Sequence, residues 1–372
     1  MMDFEFSSEQ KLLQENIYEA SKSLNQDLSF EDKWKFMADT GVIGTCIDTE
    51  NGGLGLGALE MIIALEAMAK GSSDNGLSFA IAAHTLSCVI PINKYGRANQ
   101  KQQYLPSLLD GKMIAANAMT ESESGSDVFH LQCKAIKKES NYLLNGTKTF
   151  ISNSKASSLV LTYAETNPDK GFFGGLSAFI VEKNQYKVGS TFKKMGLENC
   201  SLGEIIFEET YLSESNLLGK EGGGAFIFNH SMEWERICLA GIHLGAMQRV
   251  LNKTIEFVKQ RKSLGQSIGK FQGVSHSIAD MVTSLDVARN YAYRAAWCLD
   301  NKKNVSKEAA ITKLFVSNSV KTFMLQAMQI FGGYGYISEY GIEQEVRDAM
   351  AATIYSGTSE IQKNIIVSNL GI

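Results

Sequence analysis

Residues 231–241 read S-M-E-W-E-R-I-C-L-A-G and begin a long apolar segment in the last third of the chain. Within and just beyond them, Met232, Glu235, Leu239 and Ile242 recur at helical spacing, so one helix face carries three apolar side chains and one carboxylate. A carboxylate is costly to bury unless it has a partner or a task. Two interpretations stay open from this stretch alone. Either its acids and Arg236 form the solvated side of a helix, or Glu235 is catalytic.

The composition is that of an ordinary globular protein. The 372 residues are 44% hydrophobic and 20% charged, and their number indicates two or three subdomains. A formal net charge of −4 without a basic run gives no electrostatic basis for binding nucleic acid or a membrane surface. The start of the chain lacks the layout of a signal peptide, and we expect no transmembrane helix and a cytoplasmic location. The six cysteines and five histidines show no ligand spacing, which predicts reduced thiols and no metal site.

The hydrophobic pattern divides the chain into three regions. Residues 1–112 predict a helical domain, with a helix that starts near Ser7 and further helices at 30–39, 58–70, 74–94 and 98–109. Residues 113–220 predict a β domain, and residues 221–372 a helical bundle. Four long helices with short connections, at 223–258, 272–300, 306–330 and 358–370, favour an antiparallel arrangement.

Alternation of period two marks the middle region. It predicts strands at 159–163, 176–181 and 204–207. The run from Tyr142 to Ile151 contains Asn145-Gly146, a pair that commonly supplies the positive φ angles of a tight hairpin turn. We therefore predict a hairpin that turns at Asn145-Gly146.

Five polar or glycine-rich segments are candidates for binding. They lie at 117–127, 148–153, 260–265, 329–336 and 355–362. An arginine and a bare Gly-Gly backbone can both serve a pyrophosphate. The simpler alternatives are a polar loop for the first segment, a core aromatic for Phe150 and a helix C-cap for Gly332-Gly333.

The motifs in these segments occur in a characteristic order. They are M-T-E-x-x-x-G-S-D at 119–127, K-T-F-I-S-N at 148–153, E-R-x-x-x-A-G at 235–241, Q-R-K-x-x-G at 260–265, F-Q at 271–272, Q-x-x-G-G-x-G-Y at 329–336 and Y-x-G-T-S-E-I-Q at 355–362. Together with the order of helical, β and helical regions, they resemble the acyl-CoA dehydrogenase family of flavoproteins over essentially the whole chain. The resemblance implies an N-terminal helical domain, a middle β-barrel-like domain and a C-terminal four-helix bundle. It also implies FAD as cofactor and a homo-oligomer, usually a tetramer, whose FAD sites are shared between subunits.

The resemblance also implies a role for individual residues. Phe150 would pack against the isoalloxazine ring, and Ser152 would place its hydroxyl near flavin N5. The other cofactor contacts implied are Met119, Thr120, Gly125, Ser126, Thr358 and Glu360, and, largely toward a neighbouring subunit's cofactor, Arg261, Ser263, Leu264, Gln272, Gln329, Gly332 and Gly333. The substrate contacts implied are Ser126, Arg236, Tyr355, Ser356 and Gly357.

The catalytic base is where the sequence departs from the common pattern. Most members of the family carry the base as Glu in a Tyr-Glu-Gly-Thr loop, whereas this chain has Ser356 there. A serine hydroxyl cannot accept a proton at neutral pH without a base of its own. Branched-chain and long-chain members place the base just before the arginine of the 231–241 helix, a position that corresponds to Glu235. The hypothesis is that Glu235 removes the α proton of an acyl thioester while the β hydrogen leaves as hydride, and that Ser356 only lines the pocket.

Two further departures concern the substrate. The run 197–202 lacks the usual Arg-x-Ser-x-Thr, and Ser122 replaces a proline. With the base at Glu235, these features resemble the branch that oxidises prolyl groups on an acyl or peptidyl carrier protein in natural-product biosynthesis. The alternatives are a short- or branched-chain acyl-CoA dehydrogenase of the isovaleryl-CoA type, a degenerate flavoprotein without catalysis, and a flavin monooxygenase. An electron-transfer flavoprotein and molecular oxygen are both open as electron acceptor.

Overall fold

The computed structural model describes residues 5–372. Its first region is helical, as predicted. Ser7 begins the first helix with a capping box, because its hydroxyl accepts from the Gln10 N–H while the Gln10 side chain accepts from the Ser7 N–H. The helices are α1 Ser8–Ser23, α2 Phe30–Asp39, α3 Ala58–Gly71, α4 Asn75–His84, α5 Ile90–Tyr95 and α6 Ala98–Leu109.

A π-helical turn, Thr85–Val89, joins α4 to α5 into one continuous rod. By length and composition, Asn75–Tyr95 is the one helix in residues 5–372 that could cross a membrane. However, 94% of its most apolar window is buried inside the protein. The rod is therefore packed as the central helix of the first region, and its π-turn contacts both α8 and β1.

The middle region is an eight-stranded mixed sheet. Its strand order is β6-β7-β3-β2-β4-β5-β8, with β1 pairing parallel to β4. The short helix α7, Gly171–Gly175, precedes β5. The strands are β1 Ala115–Ala118, β2 Lys134–Lys138, β3 Asn141–Ser152, β4 Leu159–Glu165, β5 Leu176–Glu182, β6 Lys187–Thr191, β7 Leu202–Leu212 and β8 Leu217–Leu218.

The predicted hairpin at Asn145-Gly146 is wrong. Strand β3 continues through this pair, and its register against β7 shifts there, as in a β-bulge. The Asn145 side chain accepts the Glu209 N–H at 2.7 Å, and Gly146 has a φ of 145°. A Cβ on Gly146 would lie 2.8 Å from the Cys133 backbone, so the glycine permits a close approach of strands. The true turn follows β2, where Lys138 pairs with Asn141.

The last region is the predicted helical bundle, with one break. The helix expected over 223–258 divides at Leu239, where the Ile242 N–H bonds to the Leu239 carbonyl three residues earlier. The face that carries Met232, Glu235, Leu239 and Ile242 is buried, as its spacing predicted. The elements are α8 Gly224–Cys238, α9 Ala240–Gln260, β9 Lys262–Ser263, β10 Gln266–Ser267, α10 Gln272–Asp300, α11 Ser306–Phe331, α12 Gly333–Tyr336, α13 Ile342–Ala349 and α14 Ser359–Ser368.

Two contacts hold the regions together. Helix α9 crosses α3 so closely that a Cβ on Gly241 would lie 2.6 Å from the Ile62 carbonyl oxygen, and one on Gly245 2.3 Å from that of Glu66. Buried His84 joins the first region to the sheet, since its Nδ1 accepts the Ala115 N–H at 2.9 Å. Its Nε2 lies 3.2 Å from the Leu108 carbonyl oxygen, so the neutral imidazole satisfies both contacts.

Acidification should destabilise the protein through His84. Burial lowers the pKa of His84 to about 4, below the ordinary value of 6.5. Between pH 6.5 and 4 the unfolded chain therefore binds a proton on His84 that the folded protein does not bind. As a result, the free energy of unfolding falls as the pH falls through this window. We expect the free energy of unfolding of His84→Gln, measured in urea, to depend less on pH over this window. The difference in slope from the wild type should correspond to about one proton.

The matched control is His276→Gln, which changes an exposed histidine. It should leave the pH slope of the wild type unchanged. Equal slopes in His84→Gln and wild type would contradict the role assigned to the neutral His84 imidazole.

Candidate active site

The Glu235 carboxylate is buried on α8, with 8% of the residue exposed. Each of its oxygens accepts one serine hydroxyl: Ser87 donates to Oε2 and Ser356 to Oε1. Within residues 5–372 it forms no ion pair, so two hydroxyls and no cation bond this carboxyl group. The interpretation of this helix side as solvated is wrong for Glu235, and Glu233 and Arg236 are themselves half-buried.

The loop that carries Ser356 has an unusual backbone. Ser356 and Gly357 both have positive φ angles, of 54° and 89°. The guanidinium of Arg236 donates from Nε to the Ser356 carbonyl at 3.1 Å, and Gln362 donates from Nε2 to the carbonyls of Ser356 at 3.1 Å and Gly357 at 2.8 Å. These three hydrogen bonds fix the loop so that the Ser356 hydroxyl faces Glu235. Ser356 was predicted only to line the pocket, but its hydroxyl also bonds the catalytic candidate Glu235. The Arg236 guanidinium bonds the Ser356 carbonyl.

An uncharged pair of side chains, His243 and Tyr355, lies within electrostatic range of this carboxylate. The hydroxyl of Tyr355 lies 2.5 Å from His243 Nε2, and its ring packs 4.6 Å from that of Phe79. Burial, together with the positive charge of nearby Lys313, lowers the pKa of His243 to about 4. Burial and the charge of Glu235 both raise the pKa of Tyr355. At neutral pH the His243–Tyr355 pair is therefore uncharged and cannot neutralise Glu235.

A buried lysine lies within electrostatic range of the same carboxylate. Lys313 on α11 is 5% exposed, and its Nζ has no hydrogen-bond partner among the described residues. Burial, together with the positive charge of Arg236, lowers the pKa of Lys313 to about 8. Neither Lys313 nor His243 was identified from the sequence, because isolated polar residues in apolar helices carry no local signal.

A buried ion pair joins the first two predicted binding segments. Lys148 Nζ donates to Glu121 Oε1 at 2.7 Å and to the Met119 carbonyl at 3.0 Å, and both charged side chains are almost fully buried. The Thr149 N–H donates to the Thr120 carbonyl at 2.9 Å. Glu121 also accepts the backbone N–H groups of the segment that leads into β2. Glu121 and Lys148 lie within two of the sequence motifs, although no role was predicted for either side chain.

This ion pair places an exposed aromatic side chain beside the 119–126 segment. Phe150 is 61% exposed with a φ of 55°, so its interpretation as a core aromatic is wrong. Ser152 is half-buried at the end of β3, whereas Gly125 and Ser126 are exposed. A Cβ on Gly125 would meet nothing within 4 Å, which leaves the backbone of this segment open to a ligand.

A second set of predicted residues lies on the surface of the bundle. Arg261 stacks on Tyr334, with 5.2 Å from the guanidinium carbon to the ring centre, and this brings the β9–β10 hairpin to the turn at Gly332-Gly333. Gly332 also ends α11 as a C-cap with a φ of 59°. No hydrogen bond or ion pair in residues 5–372 joins this set to Glu235. All its members are exposed, and they are Arg261, Ser263, Leu264, Gln272, Gln329, Gly332 and Gly333.

The start of α14 presents polar groups without partners. Thr358 caps the helix by accepting the Ile361 N–H, and Glu360 is exposed in the first turn. The Ser359 hydroxyl and Gln362 Oε1 are buried and have no hydrogen-bond partner within the described chain. Buried polar atoms of this kind usually meet a ligand or water.

Models of three acyl-CoA dehydrogenase domains match this chain in order. The N-terminal domain matches residues 7–112, the middle domain 116–210 and the C-terminal domain 222–371. The chain belongs to the acyl-CoA dehydrogenase family. The resemblance inferred from the seven motifs is thereby confirmed, and so is the fold it implied.

Three acyl-CoA dehydrogenase family members illustrate the similarity. An L-prolyl-[peptidyl-carrier protein] dehydrogenase from Serratia sp. (strain ATCC 39006) is 38% identical, covering 100% of this chain and 99% of the relative. An isovaleryl-CoA dehydrogenase from Arabidopsis thaliana is 36% identical, covering 96% of this chain and 88% of the relative. A solved structure described as PigA with FAD and proline superposes with a TM-score of 0.96 at 39% identity, covering 100% of this chain and 99% of that one.

Removing the buried lysine should test how the binding segments are held. Lys148→Met would leave the Glu121 carboxylate buried without its cation, which typically costs about 3–5 kcal/mol of stability. We expect the free energy of unfolding, measured in urea, to fall by that amount. The purified variant should also retain less FAD, measured by its absorbance.

The matched control is Lys187→Met, which breaks an exposed ion pair with Glu208 in the same sheet. It should change the stability by less than about 1 kcal/mol. A loss in Lys148→Met no larger than in this control would contradict the role given to the buried pair.

Proposed function

We propose that this chain is an FAD-dependent dehydrogenase of acyl thioesters, that its substrate is a prolyl group on a carrier protein, and that Glu235 is the catalytic base. One observation carries the proposal. The Glu235 carboxylate is buried, held by two hydroxyls and bonded to no cation among the described residues. A carboxylate in this state can accept a proton without first breaking an ion pair.

The relatives support the reaction and the substrate. The Serratia protein is named for L-prolyl-[peptidyl-carrier protein], and the PigA structure holds FAD and proline. Both cover the chain from end to end. The isovaleryl-CoA dehydrogenase similarity keeps a branched-chain acyl-CoA as the second candidate substrate.

The residues present fit FAD. The exposed Phe150 ring and the open backbone at Gly125 offer a surface for a planar ring system. The Ser359 hydroxyl, which has no partner among the described residues, offers a hydrogen bond at the start of α14, and a helix N-terminus favours phosphate groups. We assign ring contacts to Met119, Thr120, Gly125, Ser126, Phe150 and Ser152, and further contacts to Thr358 and Glu360.

The exposed second set would serve the cofactor of another subunit. The guanidinium of Arg261 and the backbone at Gly332-Gly333 suit a diphosphate, yet they have no bonded link to the Glu235 region in the described chain. We therefore propose a homo-oligomer, a tetramer by family resemblance, in which FAD lies between subunits. A cytoplasmic location is proposed from the six cysteines, which are all unpaired.

The chain's own residues account for the proton transfer. Glu235 takes the α proton of the thioester while a double bond forms between the α and β carbons. FAD, when bound, supplies the acceptor for the hydride that leaves the β carbon. We assign Tyr355 and the Ser356-Gly357 turn to the wall of the substrate pocket next to the base, because Ser356 bonds Glu235 and the Tyr355 ring packs on Phe79.

Anaerobic bleaching of the flavin tests the proposed function. L-prolyl carrier protein and isovaleryl-CoA would be added in parallel to the FAD-loaded enzyme. We expect bleaching by the prolyl carrier protein alone. Bleaching by the CoA ester alone would contradict the prolyl substrate and favour a branched-chain acyl-CoA as substrate. Bleaching by neither compound would contradict both candidate substrates.

Glu235→Gln tests the base directly. The amide retains the size of the side chain but cannot take up the α proton, and loss of a general base typically costs about 10²–10⁴-fold in rate. We expect the bleaching rate to fall in that range while FAD absorbance per protein stays unchanged. The control is Glu233→Gln, which changes the neighbouring acid and should keep a rate near that of the wild type.

A further inference from the structure

Both oxygens of Glu235 are hydrogen-bonded by hydroxyls that come from distant parts of the chain. Ser87 is 2% exposed and donates to Oε2, whereas Ser356 donates to Oε1. Ser87 lies 148 residues before Glu235, and Ser356 lies 121 residues after it. The carboxylate is thus held at each oxygen by a separate element, which fixes the plane of the group.

Each serine is presented by a backbone conformation that is rare in proteins. Ser87 lies in the π-helical turn Thr85–Val89, a form that occurs mostly as single turns inside α-helices and frequently at functional sites. Ser356 is a non-glycine residue with a φ of 54°, which costs conformational energy unless the surroundings enforce it. The carbonyl contacts from Arg236 and Gln362 provide that enforcement. Two costly conformations therefore converge on one carboxylate.

A hydroxyl suits a group that changes its protonation state. It donates to a carboxylate, and after rotation about its C–O bond it accepts from the O–H of a carboxylic acid. A lysine or an arginine could only donate, and it would oppose protonation of the acid through its charge. A serine partner therefore remains bonded before and after Glu235 takes up a proton.

We propose that Ser87 and Ser356 are positioning residues that hold the Glu235 carboxylate toward the substrate α carbon in both of its protonation states. This inference rests on the proposed function. In the step concerned, the α C–H bond breaks and its proton forms an O–H bond with one Glu235 oxygen. The electron pair of that bond forms the double bond between the α and β carbons, and the β hydrogen leaves as hydride to the acceptor that FAD would supply. The serine on that oxygen rotates from donor to acceptor, and the serine on the other oxygen continues to donate.

Substitutions that remove only the hydroxyls test the inference. Ser356→Ala keeps the Cβ and the same backbone requirement, and Ser87→Ala keeps the π-turn, so each removes one hydrogen bond. The matched control is Ser78→Ala, since Ser78 is equally buried on α4 but donates to the Asp74 carbonyl. Ser87→Thr retains a hydroxyl and serves as the conservative rescue.

Single-turnover bleaching by L-prolyl carrier protein is the first readout. Each alanine variant should bleach about tenfold more slowly, the fold-change expected for loss of one hydrogen bond to a charged group. In Ser87→Ala, which changes no predicted substrate contact, the substrate concentration at half-maximal rate should stay unchanged, because positioning acts on the chemical step. Ser87→Thr should recover most of the rate. Rates in Ser87→Ala and Ser356→Ala within twofold of Ser78→Ala would overturn the inference.

The second readout does not depend on turnover and so separates this inference from the proposed function. The infrared carboxylate stretch of Glu235 is isolated as the difference between wild type and Glu235→Gln. It should shift in Ser87→Ala and Ser356→Ala and stay in place in Ser78→Ala. If no thioester bleaches the wild type, the proposed function fails while this band still tests the hydrogen bonds. A band that does not move in either variant would overturn the positioning role.

Discussion

The structure depends most on holding one buried carboxyl group, that of Glu235, between three separate parts of the chain. Glu235 lies on the apolar face of α8, where burying a carboxyl group is costly, and Ser87 and Ser356 each bond one of its oxygens. To meet there, the π-turn of the first region, helix α8 and the loop before α14 must all converge. Helices from both ends of the chain therefore build a single site, and neither end could form it alone.

The remaining contacts hold this convergence in place. Close packing of α9 on α3, which needs Gly241 and Gly245, fixes the bundle against the first region. The neutral His84 imidazole fixes the first region against the sheet. The buried pair of Lys148 with Glu121 then sets the position of the exposed Phe150 relative to the 119–126 segment. The helix packing depends on the small size of Gly241 and Gly245. The other two contacts depend on the protonation states of His84 and of the Lys148–Glu121 pair.

Much of this fold follows from the sequence because its signals are local. Helical spacing identified the buried face of Glu235, and seven ordered motifs identified the family. The prediction failed where distant residues decide the outcome. Asn145-Gly146 has the composition of a turn, but pairing with β7 and the approach of Cys133 make it a bulge. No role was predicted for Ser87, because a serine in an apolar helix does not indicate a contact with a carboxylate 148 residues later in the chain.

The central claim is that Glu235 takes a proton from the substrate α carbon. The most direct test is the α-deuterium isotope effect on anaerobic bleaching by L-prolyl carrier protein. Substrate deuterated at the α carbon should bleach the flavin several-fold more slowly in the wild type. The much slower Glu235→Asp enzyme should show an isotope effect at least as large. Equal rates for the deuterated and ordinary substrates, in single turnovers at saturating concentration of both, would contradict removal of the α proton in the rate-determining step.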